Sequence, residues 1–380
     1  MINLISPYVL DSSIFGIAYI DVLVIITVSL SYIYLLNTIN RVPVSKFMLY
    51  CFAVLLLVYL ISLISGLFYN PVSSVLFEAR LFTFAIALSI LVAHAELGGL
   101  TGERGHSIAK YVIIFMGMIF LYRFSLYSVN PALGEFWASN DAESQFPRLF
   151  NSNQSMVILI ASAYLFHNVS RINNAGLYSS LGVLLVIFSQ QRTVWLIGLL
   201  TIAYLFIRHN FNAKILTRTR STIYLAVVAI SAVYFADQVS YALGLASASY
   251  FEILRPNSTL QWRIQGWIAL FQNKEYASLV IGSPFGSGYD RYIHIFSQDV
   301  STKPHNFYLE MLLRLGFVGF GSIMLIITLA FRRTAGHKFS KTIIVMMLIF
   351  FITYSPDLSL MIVFIVSLIS LMRMEETWKE

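Results

Sequence analysis

The chain has 380 residues, of which 58% are hydrophobic and 11% charged, with a mean hydropathy of +0.76. Soluble domains carry about 25% charged residues, so this balance excludes a soluble globular protein and predicts one polytopic membrane domain over residues 1–380. The formal charge of +7 does not point to nucleic acid, because many of the cations fall in short connections between apolar runs, where cytoplasmic loops are basic.

Apolar runs occur at about 17–36, 48–67, 81–97, 108–127, 152–168, 176–189, 193–207, 221–237, 307–331, 341–355 and 357–372. A spanning helix needs about 20 apolar residues, so an all-α protein of about eleven (10–12) transmembrane helices is expected. Every second connection is basic, with Arg41/Lys46, Arg104/Lys110, Arg171, Arg208/Lys214/Arg218/Arg220, Arg332/Arg333/Lys338/Lys341 and Arg373/Lys379. That side is read as cytoplasmic, and the C-terminus with it. Met1-Ile2-Asn3 shows neither a basic leader nor a cleavage site, so the N-terminus is expected to be retained. The single cysteine, Cys51, lies in an apolar run and has no partner for a disulfide.

Two pairs of runs are short. Helices over 176–189 and 193–207 would cover only about 21–23 Å of a hydrocarbon core about 30 Å thick. Their joint, Gln190-Gln191-Arg192, is expected below the outer membrane surface, lining a wet cavity. The pair 341–355 and 357–372, joined by Pro356-Asp357, reads as a second hairpin, since proline breaks a long helix.

The outer side receives two longer connections, about 128–151 and 238–306. Their cations defy the topological preference; either an external anion explains them, or they sit there because long loops translocate regardless of charge. The second is the one long polar segment of the chain, and Trp262 and Trp267 bracket Arg263 within it. That stretch reads as an amphipathic helix lying on the membrane, with Trp267 one turn from Arg263. An arginine at membrane depth costs roughly 2.5–3.5 kcal/mol on insertion scales, so Arg192 needs a partner or a task. It would either bind phosphate oxygens through its planar fork of donors or pair with Asp357, Glu96 or Glu310. Arg263 would bind the same group or serve as an interfacial anchor. His305 is placed to accept a proton near neutral pH. Glu310 and Arg314, four residues apart, are expected to pair on one helix face. Gly286-Ser287-Gly288 lacks the rest of a phosphate loop and reads as a tight turn. No metal is expected: His294 and His305 have no further ligand at helical spacing.

Four motifs in order resemble those of the bacterial O-antigen polymerase and O-antigen ligase superfamily. Ser189-Gln190-Gln191-Arg192-Thr193 resembles its "S-x-x-R-T" junction, and Arg263 to Trp267 its "R-x-x-x-W" helix. Pro284 to Gly288 resembles its "P-x-x-G-x-G" turn with the proline one residue closer, and His305-Asn306-Phe307-Tyr308-Leu309 its "H-N-x-x-L" motif. The resemblance implies a membrane-embedded C-type glycosyltransferase fold with 238–306 as a large periplasmic loop containing helices. It implies an inverting, metal-independent transfer of glycan from undecaprenyl pyrophosphate on the outer face of the bacterial inner membrane, with no cofactor. Arg192 and Arg263 would hold the pyrophosphate, His305 would be the base and Asn306 would orient. Gln191, Arg148, Asn153, Arg255 and Arg291 are further candidates for substrate contact.

The outer cations beyond the central pair fit a second anionic substrate, which favours a polymerase joining two lipid-linked oligosaccharides. A ligase acting on lipid A core is the alternative, and a flippase for lipid-linked sugar is the rival from another class. Membrane lipid and a chain-length regulator are the partners expected besides the substrates.

Overall fold

The computed structural model describes residues 13–14, 17–38, 46–94, 103–129, 149–168, 174–189, 191, 193–201, 258–272, 276–293, 298–333 and 338–373. Helices α1 (Tyr19–Thr38), α2 (Lys46–Tyr69), α3 (Val72–His94) and α4 (Glu103–Val129) lead the chain after a two-residue ribbon, β1 (Ser13–Ile14) with β2 (Ile17–Ala18). Then come α5 (Ser152–His167), α6 (Ala175–Phe188) and α7 (193–201). The polar segment contributes α8 (Ser258–Gln272), α9 (Tyr276–Ile281) and an antiparallel ribbon, β3 (Arg291–Ile293) with β4 (Gln298–Val300). Helices α10 (Phe307–Arg333), α11 (Lys338–Phe350) and α12 (Leu358–Arg373) complete the described chain.

Among the described residues, Phe47–Tyr69, Val72–Val92, Gly105–Leu126 and Phe307–Arg332 are long and apolar enough to cross a membrane. Ala175–Phe188, Phe339–Phe350 and Leu358–Leu371 are apolar but shorter, as the hairpin reading requires. The expected span at 221–237 and the end of that at 193–207 lie outside the described residues. An apolar medium offers the backbone no water, so helices satisfy it internally. Side-chain caps finish the starts. Asn151 and Gln154 form a capping box at α5, Asn306 Oδ1 accepts the Leu309 amide at α10, and Asp357 Oδ1 accepts the Leu360 amide at α12.

Two differences from the sequence reading have physical causes. Helix α3 begins at Val72 rather than near 81, because the charges that interrupt the apolar run are answered. Glu78 is bonded to Arg314 at 2.7 Å, and the Arg80 guanidinium lies 4.3 Å from the Phe77 ring centre. The polar segment also holds a strand ribbon as well as helices. Arg291 and Ile293 are buried in β3 while Tyr292 between them is exposed, the period-two pattern of a one-sided strand.

The core between α2, α3, α10, α11 and α12 is aromatic. Phe82 stands 5.7 Å from Phe285 and 6.0 Å from Phe307; Phe307 stands 5.0 Å from Phe351, and Phe351 5.3 Å from Phe364. Such pairs add about 0.5–1.5 kcal/mol each beyond burial. This ladder fixes the start of α10, and hence the residues just before it.

Helix α10 is broken at Gly316 (φ 58, ψ −174). The break leaves the Leu313 carbonyl without its helical donor, and the Ser283 amide takes it at 2.7 Å. Residues 280–285 thereby lie against α10 backbone to backbone. A Cβ on Gly316 would collide with the Val280 carbonyl, and one on Gly282 with that of Arg314.

Candidate functional site

The site assembles where the two hairpin joints meet the last residues before α10. In the first joint, Gln191 is buried; its Nε2 donates to the Phe150 carbonyl at 3.1 Å and its Oε1 accepts from Ser152 Oγ at 2.7 Å. Both ends of the side chain are thus engaged by protein, and Gln191 fixes the joint to the start of α5. The neighbouring Asn153 reaches the second joint, its Nδ2 lying 3.5 Å from the Ser355 carbonyl. Its Oδ1 is buried with no hydrogen bond among the described residues. Arg192, Arg148, Arg255 and His294 lie outside the described residues.

Helix α8 delivers three residues on one face, as spacing of three and four predicts. Arg263 lies 5.4 Å from the Tyr354 ring centre, within cation–π range, with Nη1 3.5 Å from the Thr353 carbonyl. One turn on, the missing side chain of Gly266 makes room for the Arg291 guanidinium, whose Nε would lie 3.1 Å from a Cβ there. Trp267 Nε1 donates to the Pro304 carbonyl at 2.6 Å. The amphipathic helix therefore grips the second hairpin joint, the β3 ribbon and the segment before His305.

Arg291 Nη1 donates at 2.8 Å to the carbonyls of both Tyr289 and Thr302, stapling the ribbon closed. Among the described residues the Nε groups of Arg263 and Arg291 are buried without a hydrogen-bond partner. A buried donor left unpaired costs roughly 1–3 kcal/mol; that of Arg291 packs against Gly266, and Arg263 is the more exposed of the two.

His305 has a positive φ of 49. A non-glycine residue in the left-handed region stores about 1–3 kcal/mol, a strain that gathers at active sites. The residue is open to solvent, yet its pKa lies below the usual histidine value. Burial contributes most to this shift, the charges of Arg263 and Arg291 push the same way, and Glu310 pulls against them. Exposure tempers the burial contribution, so the direction rests firmly on the two arginines. A neutral imidazole at physiological pH is the form that accepts a proton.

Under this surface Glu310 is fully buried. It receives Lys303 Nζ at 2.9 Å, Ser355 Oγ at 2.8 Å and the Tyr289 hydroxyl at 3.2 Å. Burial raises the Tyr289 pKa well above its ordinary value, with Glu310 acting the same way, and keeps that hydroxyl a donor. The expected Glu310–Arg314 pair does not form. Arg314 turns instead to Glu78, and its guanidinium also donates to Pro284 O (2.9 Å), Ser287 Oγ (2.7 Å) and Gly288 O (2.8 Å). An i,i+4 pair is worth only about 0.2–0.5 kcal/mol, and a desolvated arginine with four acceptors outweighs it.

The glycine turn is a turn, as expected, and its use is internal. Gly286 (φ 83) and Gly288 (φ 73) aim their amides at the Glu78 carboxylate. Phe285 inserts beside Tyr59 and Phe82, and its carbonyl accepts from Asn70 Nδ2 at 3.0 Å. Asn306, like Gln191, is held by protein through its cap of α10. Neither Glu78 nor Arg123 stood out in the apolar runs. Arg123, buried in α4, donates to the Leu149 carbonyl. A charge inside a spanning helix is the signal that could have found both.

Residues 156–324 match the family model described as O-antigen ligase (Wzy_C). The match covers the stretch that carries all four short motifs and supports the resemblance to the O-antigen polymerase and ligase superfamily. The matched segment contains Gln191, Arg263, Arg291, His305 and Asn306. Comparison with curated proteins gave no match. Among the described residues no group of three or more His, Cys, Asp or Glu is arranged to hold a metal ion.

Proposed function

We propose that the protein is a polysaccharide polymerase of the bacterial inner membrane, moving a glycan from undecaprenyl pyrophosphate onto a hydroxyl of a second lipid-linked repeat unit. The observation that carries this reading is the bond from Trp267 to Pro304, which fastens the arginine helix to the histidine segment. In the reaction, an acceptor oxygen attacks the anomeric carbon from the face opposite the leaving group. His305 takes the hydroxyl proton, a new glycosidic bond forms, and the old sugar–phosphate bond breaks with its electron pair passing to the pyrophosphate. Arg263 and Arg291, joined by Arg192, stabilise that growing charge better beside lipid than water would.

Further observations support the lipid-linked donor and the orientation. An apolar cavity of about 260 Å³ begins beside the site, lined by Phe307, Tyr308, Phe351 and Phe364 among others, and suits a prenyl chain. Lys46, Arg332, Lys338 and Arg373 mark helix ends away from the site, and the positive-inside rule puts such residues in the cytoplasm. The site then faces the periplasm.

A second reading is favoured by the description of the matched family: transfer to lipid A core, a ligase. Purified protein is incubated with lipid-linked repeat units, with and without lipid A core, and glycan length and released undecaprenyl pyrophosphate are measured. Lengthening without lipid A core supports the polymerase, and transfer only with it replaces that reading by the ligase. If intact substrate merely crosses vesicles, both enzyme readings fail and a flippase stands.

A further inference from the structure

An open cleft of about 560 Å³, its walls of mixed character, lies between the start of α3, the glycine turn and residues 301–303, within the range of about 300–1,000 Å³ typical of ligand pockets. It borders the arginine face, since Arg291 donates to the carbonyls of Tyr289 and Thr302, both of which line it. Lys303 forms one wall and lies two residues from His305; the intervening Pro304 is the residue that α8 holds through Trp267. The segment 303–305 therefore lies between the cleft and the helix that carries Arg263.

The lining argues for the chemistry of the occupant. Ser73, Ser74, Ser301 and Thr302 bring four side-chain hydroxyls, none engaged in a hydrogen bond within the described protein. Phe77 adds an apolar ring that is half exposed, at 50%. The charges, by contrast, are answered internally. Lys303 is bonded to Glu310, and Glu78 to Arg314 and the turn amides. The turn that could have cradled a phosphate presents its amides to a carboxylate already in place. Glu78 and Lys303 thus each meet an opposite charge within the protein, and Arg80 lies 4.3 Å from the Phe77 ring centre, so neither lining charge is left open for an anion. A neutral polyhydroxylated ligand would find unengaged hydroxyls, the two remaining Lys303 protons and the half-exposed Phe77 ring, which Arg80 already approaches at 4.3 Å, for the C–H groups of a sugar.

We infer that the cleft between Ser73–Phe77 and Ser301–Lys303 binds the acceptor glycan and presents its hydroxyl to His305. This rests on the proposed glycosyl transfer and assigns its two substrates to opposite sides of one segment: the donor pyrophosphate by the arginines, the acceptor sugar by the serines. The division has a physical logic. The diphosphate needs fixed positive charge and low dielectric, while the acceptor needs adaptable hydrogen bonds and access from solvent.

The test uses the full chain in detergent and two probes. One is the oligosaccharide released by mild acid from the source bacterium's own lipid-linked repeat units, which carries no phosphate. The other is sugar-free undecaprenyl pyrophosphate. Ser74→Trp, which fills the cleft, and Phe77→Ala, which removes its ring, are each expected to weaken oligosaccharide binding about tenfold. Both should leave undecaprenyl pyrophosphate binding within twofold of the parent protein, while Arg263→Ala should do the reverse. Retained diphosphate binding reports that each variant is folded. Unchanged oligosaccharide binding in Phe77→Ala overturns the inference, and so does an equal loss of both probes in that variant, because the residue is exposed at the surface. If the parent protein binds the diphosphate and lengthens glycans but binds the oligosaccharide only through the arginines, the cleft assignment fails while the proposed function stands. If the parent neither binds the diphosphate nor lengthens glycans, the proposed function itself fails.

Discussion

Trp267 holds Pro304: the indole Nε1 donates to the carbonyl at 2.6 Å, although the two residues lie 37 apart in sequence. The bond links the helix carrying Arg263 to the residue immediately before His305. Its consequence is positional, since the distance between Arg263 and His305, the proposed charge stabiliser and base, is set through it.

Trp267→Phe keeps the ring but removes the donor. The lost bond is worth about 0.5–1.5 kcal/mol in stability, and misplacement of reacting groups by about 1 Å can cost on the order of 100-fold in rate. The expected result is a fall in kcat of about tenfold or more with a small drop in thermal midpoint. Steady-state kinetics beside a detergent thermal melt would measure both. A loss of stability without loss of rate would make the bond merely structural.

His305 predicts the form of the pH profile. Its pKa is lowered by burial and by Arg263 and Arg291, against Glu310, so the neutral base persists to pH values below the ordinary histidine midpoint of about 6.5. Activity should fall only on the acid side of that value. Replacing Arg263 by Gln removes a positive neighbour, raises the His305 pKa and moves the acid limb of kcat/KM to higher pH. A limb that stays in place would separate His305 from the titrating step. His305→Ala should abolish the limb along with most of the rate.

The Glu78–Arg314 pair is buried on both sides, at 6% and 0% side-chain exposure. Removing one partner leaves a bare charge, which typically costs about 3–5 kcal/mol. Glu78→Ala should therefore lower the unfolding midpoint severely. The double variant Glu78→Ala with Arg314→Met should lose less than the sum of the two single changes, because the second removal no longer leaves an unpaired charge. Additive losses would contradict the pairing.

Gly316→Ala tests the break in α10. Its φ of 58 and the Val280 carbonyl leave no place for a methyl group. Strain of about 1–3 kcal/mol or more is expected, read as a lower thermal midpoint. Gly321→Ala in the same helix, where nothing lies within 4 Å of a Cβ, should be neutral or slightly stabilising. Equal effects at both positions would mean the break is unimportant.

The amino-acid sequence by itself determined the membrane character, most helix positions, the shortness of the hairpin helices and the neighbourhood of Arg263 and His305. These follow from properties of consecutive residues: run length, charge spacing and four short motifs. Tertiary structure alone decided who answers which charge. Arg314 was expected to meet Glu310, four residues away, and instead meets Glu78, 236 residues away in sequence. Glu310 was left to Lys303, Ser355 and Tyr289. A buried ion takes the set of partners that best replaces its lost water, and that choice depends on which distant segments the fold brings together. Spacing along one helix cannot report it, because the local pair is worth less than the desolvation it would have to offset.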